Sequence, residues 1–133
     1  MSSKIHKTEG GVCAAKGFRA AGVPARIKYE GRKDVALVVA DAPCAAAAVF
    51  TTNAVAAAPV VYDRMVVKGG RIQAILANSG CANACTGEAG YRDAERSARE
   101  TAKTLGIDPR FVLVASTGVF GHRLPMVRLI AGM

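Results

Sequence analysis

Tryptophan is missing from this chain, and the aromatic residues it does carry, three tyrosines and four phenylalanines, stand apart from one another. Without aromatic platforms interleaved with basic side chains, an RNA-binding sheet has nothing on which to stack bases. The scarcity of large rings also requires an interior filled by small side chains and close backbone approach. Long apolar runs are absent too, none reaching the roughly 18 residues that a membrane span needs. The opening residues "MSSKIHKTEGG" lack the apolar centre of a secretion signal. A soluble, cytoplasmic protein with no membrane partner is the expectation.

Catalytic signatures are equally sparse. There is no GxSxG elbow, no Walker pattern and no GxGxxG. The two histidines, His6 and His122, belong to no recognisable triad motif. Four cysteines, Cys13, Cys44, Cys81 and Cys85, read as reduced thiols in a chain with no export signal. Cys81 and Cys85 lie four apart, within the loose range for zinc ligands, but no second pair accompanies them. No metal site is therefore expected. The formal charge of +8 comes from 18 Lys and Arg against 10 Asp and Glu, with no basic run longer than Arg32-Lys33. Charge so dispersed is a solvated surface, which argues against nucleic acid and leaves a basic field that attracts small acidic substrates.

What is present is an alanine- and valine-rich chain of 133 residues, 51% hydrophobic, the size of one domain or a piece of one. It has no internal repeat, low-complexity tail or flexible linker. Short apolar runs alternate with glycine-marked turns. Asp34–Asp41 ("DVALVVAD"), Ala45–Thr52, Ala58–Asp63, Arg71–Asn78 and Arg110–Ser116 read as strands, the first apolar enough for burial on both faces. Between the last two, Tyr91, Ala94, Ala98, Ala102 and Leu105 recur at three- and four-residue steps and predict an amphipathic helix over Gly87–Leu105. Thr86 is its candidate N-cap, and Gly106 and Pro109 mark its end. A shorter helix is predicted to start near Leu124-Pro125. Strand, helix and strand then form a βαβ-like unit within an α/β layered fold.

Two loops of that unit can carry chemistry. "NSGCANACTG" (78–87) leaves the first strand and enters the helix. It reads either as a tight turn in which Asn78, Ser79 and Asn83 satisfy local backbone groups, or as a loop aiming N–H groups at an anion. "STGVFG" (116–121) leaves the second strand, and its small residues can present bare backbone donors to a developing oxyanion. An oxyanion hole needs a nucleophile with a base, and the chain shows none. Thr51-Thr52 is better read as a turn at a strand end.

Five stretches in the same order, "GFRAAGVPARIK", "DVALVVAD", "AVFTTNAVAAAPV", "ILANSGCANACTGEAG" and "VLVASTGVFGHRLPM", resemble the N-terminal, α-chain part of the ArgJ family. That family comprises bifunctional ornithine acetyltransferase/N-acetylglutamate synthases of arginine biosynthesis. The resemblance runs from about Gly10 to Met133. It implies a layered α/β sandwich related to the DmpA aminopeptidases. It further implies a precursor that cuts itself before a threonine, giving α and β chains that assemble as a heterotetramer.

By the same resemblance, Thr117 and Gly118 form the oxyanion hole for the β chain's N-terminal threonine, which carries acetyl from N2-acetyl-L-ornithine to L-glutamate by a ping-pong route. Acetyl-CoA is a possible second donor, and no cofactor is needed. Cys81 stands where the family usually has asparagine, and Phe120 where it has isoleucine. The threonine junction falls beyond Met133, so residues 1–133 are expected to form one α-chain portion that is inactive without the β chain. The reading from a different class is a non-catalytic module of the same fold that binds a small anion or a partner.

Overall fold

The computed structural model describes residues 6–133. Four strands, β1 (Phe18–Val23), β2 (Val35–Ala45), β3 (Arg71–Asn78) and β4 (Val112–Ser116), form one sheet in the order β1-β2-β3-β4. The first two pairings are antiparallel, and β3 runs parallel to β4. Among the described residues three α-helices complete the fold: α1 (Ala58–Val66), α2 (Gly87–Leu105) and α3 (Met126–Ala131). No helix among the described residues is long and apolar enough to cross a membrane.

The parallel pair is joined through α2, which is the βαβ unit expected from the pattern. Along β3 every second residue, Ile72, Ala74, Leu76 and Asn78, is buried. That face meets Val112 and Val114 of β4 and, through the core cluster, Ala94, Ala98 and Ala102 of α2. The three alanines are 0–1% exposed, so the helix backbone lies close to the sheet and the small-residue interior expected from composition is what the chain builds. The helix stops where Gly106, at φ 66, donates its N–H back to Ala102 and Lys103.

Three expectations are corrected. Ala58–Asp63 is the start of α1 rather than a strand. Pro59 has no N–H for a ladder but suits the first turn of a helix, and Tyr62, three residues on, is thereby turned inward against Tyr91 in an edge-to-face pair 6.4 Å apart. Ala45–Thr52 is no strand either: β2 runs on to Ala45, past an irregularity between Val39 and Cys44, and the chain beyond it pairs with nothing in the sheet. Thr51 makes a local turn there, its hydroxyl accepting from Asn53 N at 3.2 Å. Within β2, Leu37, Val38 and Val39 are half-buried, so the strand is not covered on both faces by the described residues. The pattern also gave no signal for β1, whose partner is the valine-rich β2.

Candidate functional site

In parallel strands, equivalent ends point the same way, so the loops that leave them emerge side by side. Here the register pairs Asn78, the last residue of β3, with Ser116, the last of β4. The side chain of Asn78 is buried between the two departing loops: Ser116 Oγ donates to its Oδ1 at 2.6 Å, and its Nδ2 donates to Cys81 O at 2.9 Å. Main-chain bonds continue beyond the strands. Thr117 N donates to Asn78 O (3.0 Å), Val119 N to Gly80 O (3.3 Å), Ala82 N to Val119 O (3.0 Å) and Gly121 N to Ala84 O (2.8 Å). The Cys81 thiol adds a contact to His122 O.

This zipper decides which donors remain available at the two sequence-predicted site residues. The N–H of Thr117 is consumed by Asn78, while its side chain is exposed. Among the described residues Gly118 N makes no bond to protein, and Gly118 is likewise exposed. The hydroxyl of Thr117 and the N–H of Gly118 are thus neighbouring donors at the end of a rigid strand. Gly118 is required sterically as well. Its φ is +133, and a Cβ there would lie 2.3 Å from Gly80 C and 2.6 Å from Cys81 N.

Both residues line a cleft of about 520 Å³ together with Lys28, Tyr29, Arg32, Lys33, Asp34, Ser79, Gly80 and Val119. Nothing in the order of residues singles out these basic side chains, because they look dispersed along the chain. Their convergence depends on the loop between β1 and β2, which folds around Asp34. Its two carboxylate oxygens accept from Ala25 N and Ile27 N at 2.6 Å each.

The loop at 78–87 turns its polar groups inward. Asn83 is fully buried at φ +48, its Nδ2 donating to Gly90 O and its Oδ1 accepting from Thr86 Oγ1. Thr86 precedes α2 as expected, but its hydroxyl serves Asn83 rather than a helix N–H. Asn78 and Asn83 therefore act as internal braces, in line with the tight-turn reading, while Ser79 faces the cleft. Beyond the second loop, Arg123 Nε and Nη2 clamp the nearly buried carboxylate of Asp93 on α2 at 2.7 and 2.9 Å. His122 and Cys81 line a neighbouring recess of about 310 Å³. Of the four free cysteines, Cys81 is buried and Cys85 exposed, so the two do not form a matched pair.

On the far side of β4, Asp63 of α1 accepts from Val114 N at 3.0 Å. Burial pushes its carboxyl up to about 6, against the opposing pull of that hydrogen bond.

The ArgJ family model matches residues 19–133. The chain belongs to the ArgJ family. It is 57% identical, over 93% of its length, to the arginine biosynthesis bifunctional protein ArgJ of Symbiobacterium thermophilum. To that of Thermobifida fusca it is 50% identical over 92%. It spans 31% and 32% of those two ArgJ relatives, about a third of each. Among solved structures, ArgJ from Bacillus halodurans superposes with a TM-score of 0.88 at 41% identity, over 92% of this chain and 64% of that one. Ornithine acetyltransferase from Mycobacterium tuberculosis, solved with ornithine, gives 0.85 at 49% identity, over 88% and 64%. The layered α/β fold is thus an ArgJ fold.

Proposed function

We propose that this chain is the α-chain portion of a glutamate N-acetyltransferase and supplies the oxyanion hole to a nucleophile carried on a separate β chain. The observation that carries the reading is the pair of free donors at Thr117 and Gly118, exposed in one cleft on a braced strand end. The names of the ArgJ relatives support the reaction class.

In this reaction the β-chain threonine hydroxyl attacks the acetyl carbonyl of N2-acetyl-L-ornithine. The carbonyl π pair moves onto oxygen, and Thr117 Oγ–H and Gly118 N–H donate to the resulting anion. Collapse expels the ornithine amine, which takes up the proton that the threonine hydroxyl gave to the β chain's terminal amine, and leaves an acetyl ester on threonine. The amine of L-glutamate then attacks that ester through a second oxyanion at the same donors, so that the threonine hydroxyl is regained. Acetyl-CoA serves as an alternative first donor by the same steps, with its thiol leaving. The proposal includes autocatalytic release of the β chain, a heterotetramer, cytoplasmic location and no cofactor.

The test is acetyl transfer from N2-acetylornithine to glutamate, with and without acetyl-CoA, by the complete protein. Thr117→Ala there is expected to lower kcat by about a hundredfold, the usual cost of one oxyanion donor. Unchanged turnover in that variant would remove Thr117 from the mechanism.

A further inference from the structure

We propose that Lys28, Arg32 and Lys33 form an anion site in the cleft next to Thr117 and Gly118, taking a carboxylate or phosphate of a small-molecule substrate. The proposal deepens the acetyl-transfer reading and rests on it only for the identity of the substrate.

All three cations come from one short stretch between β1 and β2, and all three line the same cleft. Among the described residues no carboxylate lies within ion-pair reach of any of them. Elsewhere on the molecule the contrast is plain: Arg19, Arg92, Arg110 and Arg123 each have an acid partner. The acid that does line the cleft, Asp34, does not neutralise them. It is buried, and both of its oxygens are occupied by the backbone N–H groups of Ala25 and Ile27.

The cations are also held in place. Lys28 Nζ lies 4.9 Å and Arg32 Cζ 5.2 Å from the centre of the Tyr29 ring, so one ring positions two positive groups. Hydrogen bonding to Lys28, with the Lys28 charge next and that of Arg32 a smaller contribution, holds the Tyr29 phenol below its ordinary range. A Cβ on Gly80 would come within 2.8 Å of Lys28 Cβ, so the glycine lets the lysine stem lie against the 78–87 loop, whose Gly80 carbonyl accepts from Val119 N next to Gly118. Like charges gathered on one wall repel, and an anion between them relieves that repulsion while gaining charge-assisted hydrogen bonds. The cleft falls within the roughly 300–1,000 Å³ of ordinary small-molecule sites.

Two sources share this chemistry: the carboxylate of an amino-acid acceptor and the phosphate of a thioester donor. Calorimetric titration of the complete protein with inorganic phosphate, and separately with L-glutamate, at low ionic strength reads the site without turnover. Phosphate is expected to bind the native protein, and Lys28→Met/Arg32→Gln is expected to weaken it about tenfold or more. Kinetics then separates the sources. A tenfold rise in KM for glutamate with little change in kcat identifies the carboxylate, and the same rise confined to acetyl-CoA identifies the phosphate.

The altered side chains are exposed, and Lys33→Met provides an independent variant should the double change impair folding. If the native protein fails to bind phosphate, or the variants bind it equally well and neither KM moves, the proposal is wrong. Phosphate binding that is lost in the variants of a protein with no acetyl-transfer activity would instead leave the anion site standing and remove the acetyltransferase reading.

Discussion

The N–H of Thr117 donates to the carbonyl of Asn78 at 3.0 Å, so the backbone of this residue serves the sheet and its side chain alone is left for chemistry. That division makes a sharp expectation. In the complete protein Thr117→Ser keeps a hydroxyl donor and should retain turnover within about tenfold. Thr117→Val is nearly isosteric, keeps the main-chain bond, and should fall about a hundredfold with an unchanged melting temperature. Equal activity in the two variants would show that the hydroxyl is idle.

Gly118→Ala tests the backbone. The added methyl would meet Gly80 and Cys81 main-chain atoms, which cannot rotate away as a flexible side chain can. Overpacking against backbone at positive φ should cost about 1–3 kcal/mol in chemical denaturation. Acetyl transfer should fall together with stability, unlike the separation expected for Thr117→Val.

Asn78→Ala removes the brace between the loops. Ser116 Oγ and Cys81 O lose their buried partner, at an expected cost of about 2–3 kcal/mol. Asn78→Asp retains the acceptor for Ser116 but places an unpaired carboxylate against the Cys81 carbonyl. It should be at least as destabilising at neutral pH, as a denaturant midpoint would show.

Asp63 predicts a pH dependence of known sign. Its folded value, about 6, lies above the model-peptide value of 3.8, so the native state holds the proton more tightly than the unfolded chain. The contribution is fully present below about 3.8 and is lost as pH rises through about 6. Because the carboxyl is partly solvated, the loss is expected to be about 1 kcal/mol rather than the full linkage value. Asp63→Asn keeps an oxygen for Val114 N and should flatten stability between pH 4 and 7 in thermal melts, relative to the native protein.

Ala98 is completely buried where α2 crosses the sheet. Ala98→Leu forces helix and sheet apart and should destabilise by about 1–3 kcal/mol or more. A neutral result would mean that the interface holds room the structure does not show.

The βαβ half of the fold was legible because its signals agreed: alternation in Arg71–Asn78, helical periodicity from Tyr91 to Leu105, and a glycine stop at Gly106. The observed helix has the predicted ends. β4 begins two residues late because Asp108 captures Arg110 N and winds Pro109–Phe111 into a 3-10 turn. Elsewhere, local propensity misled. Val60 and Val61 favour a strand, but Pro59 and the burial of Tyr62 make a helix of them. The loop at 116–121 could be read from its small residues as a source of backbone donors, but singling out Thr117 and Gly118 within it took the resemblance to a family. The basic wall opposite them could not be read at all, since its geometry is set by the Asp34 contacts to Ala25 and Ile27.

Because Asn78 and Ser116 sit on the same rung, the distance between the two loops is measured across the sheet and not along the chain. The 19 residues of α2, which lie between them in the chain, can therefore lengthen by whole turns or change their outer surface without moving the corner. A single deletion inside β4 has the opposite effect: it flips every following side chain to the other face and carries Thr117 away from solvent. Tolerance to insertion should therefore divide sharply at that rung, with the helix permissive and the five residues of β4 intolerant.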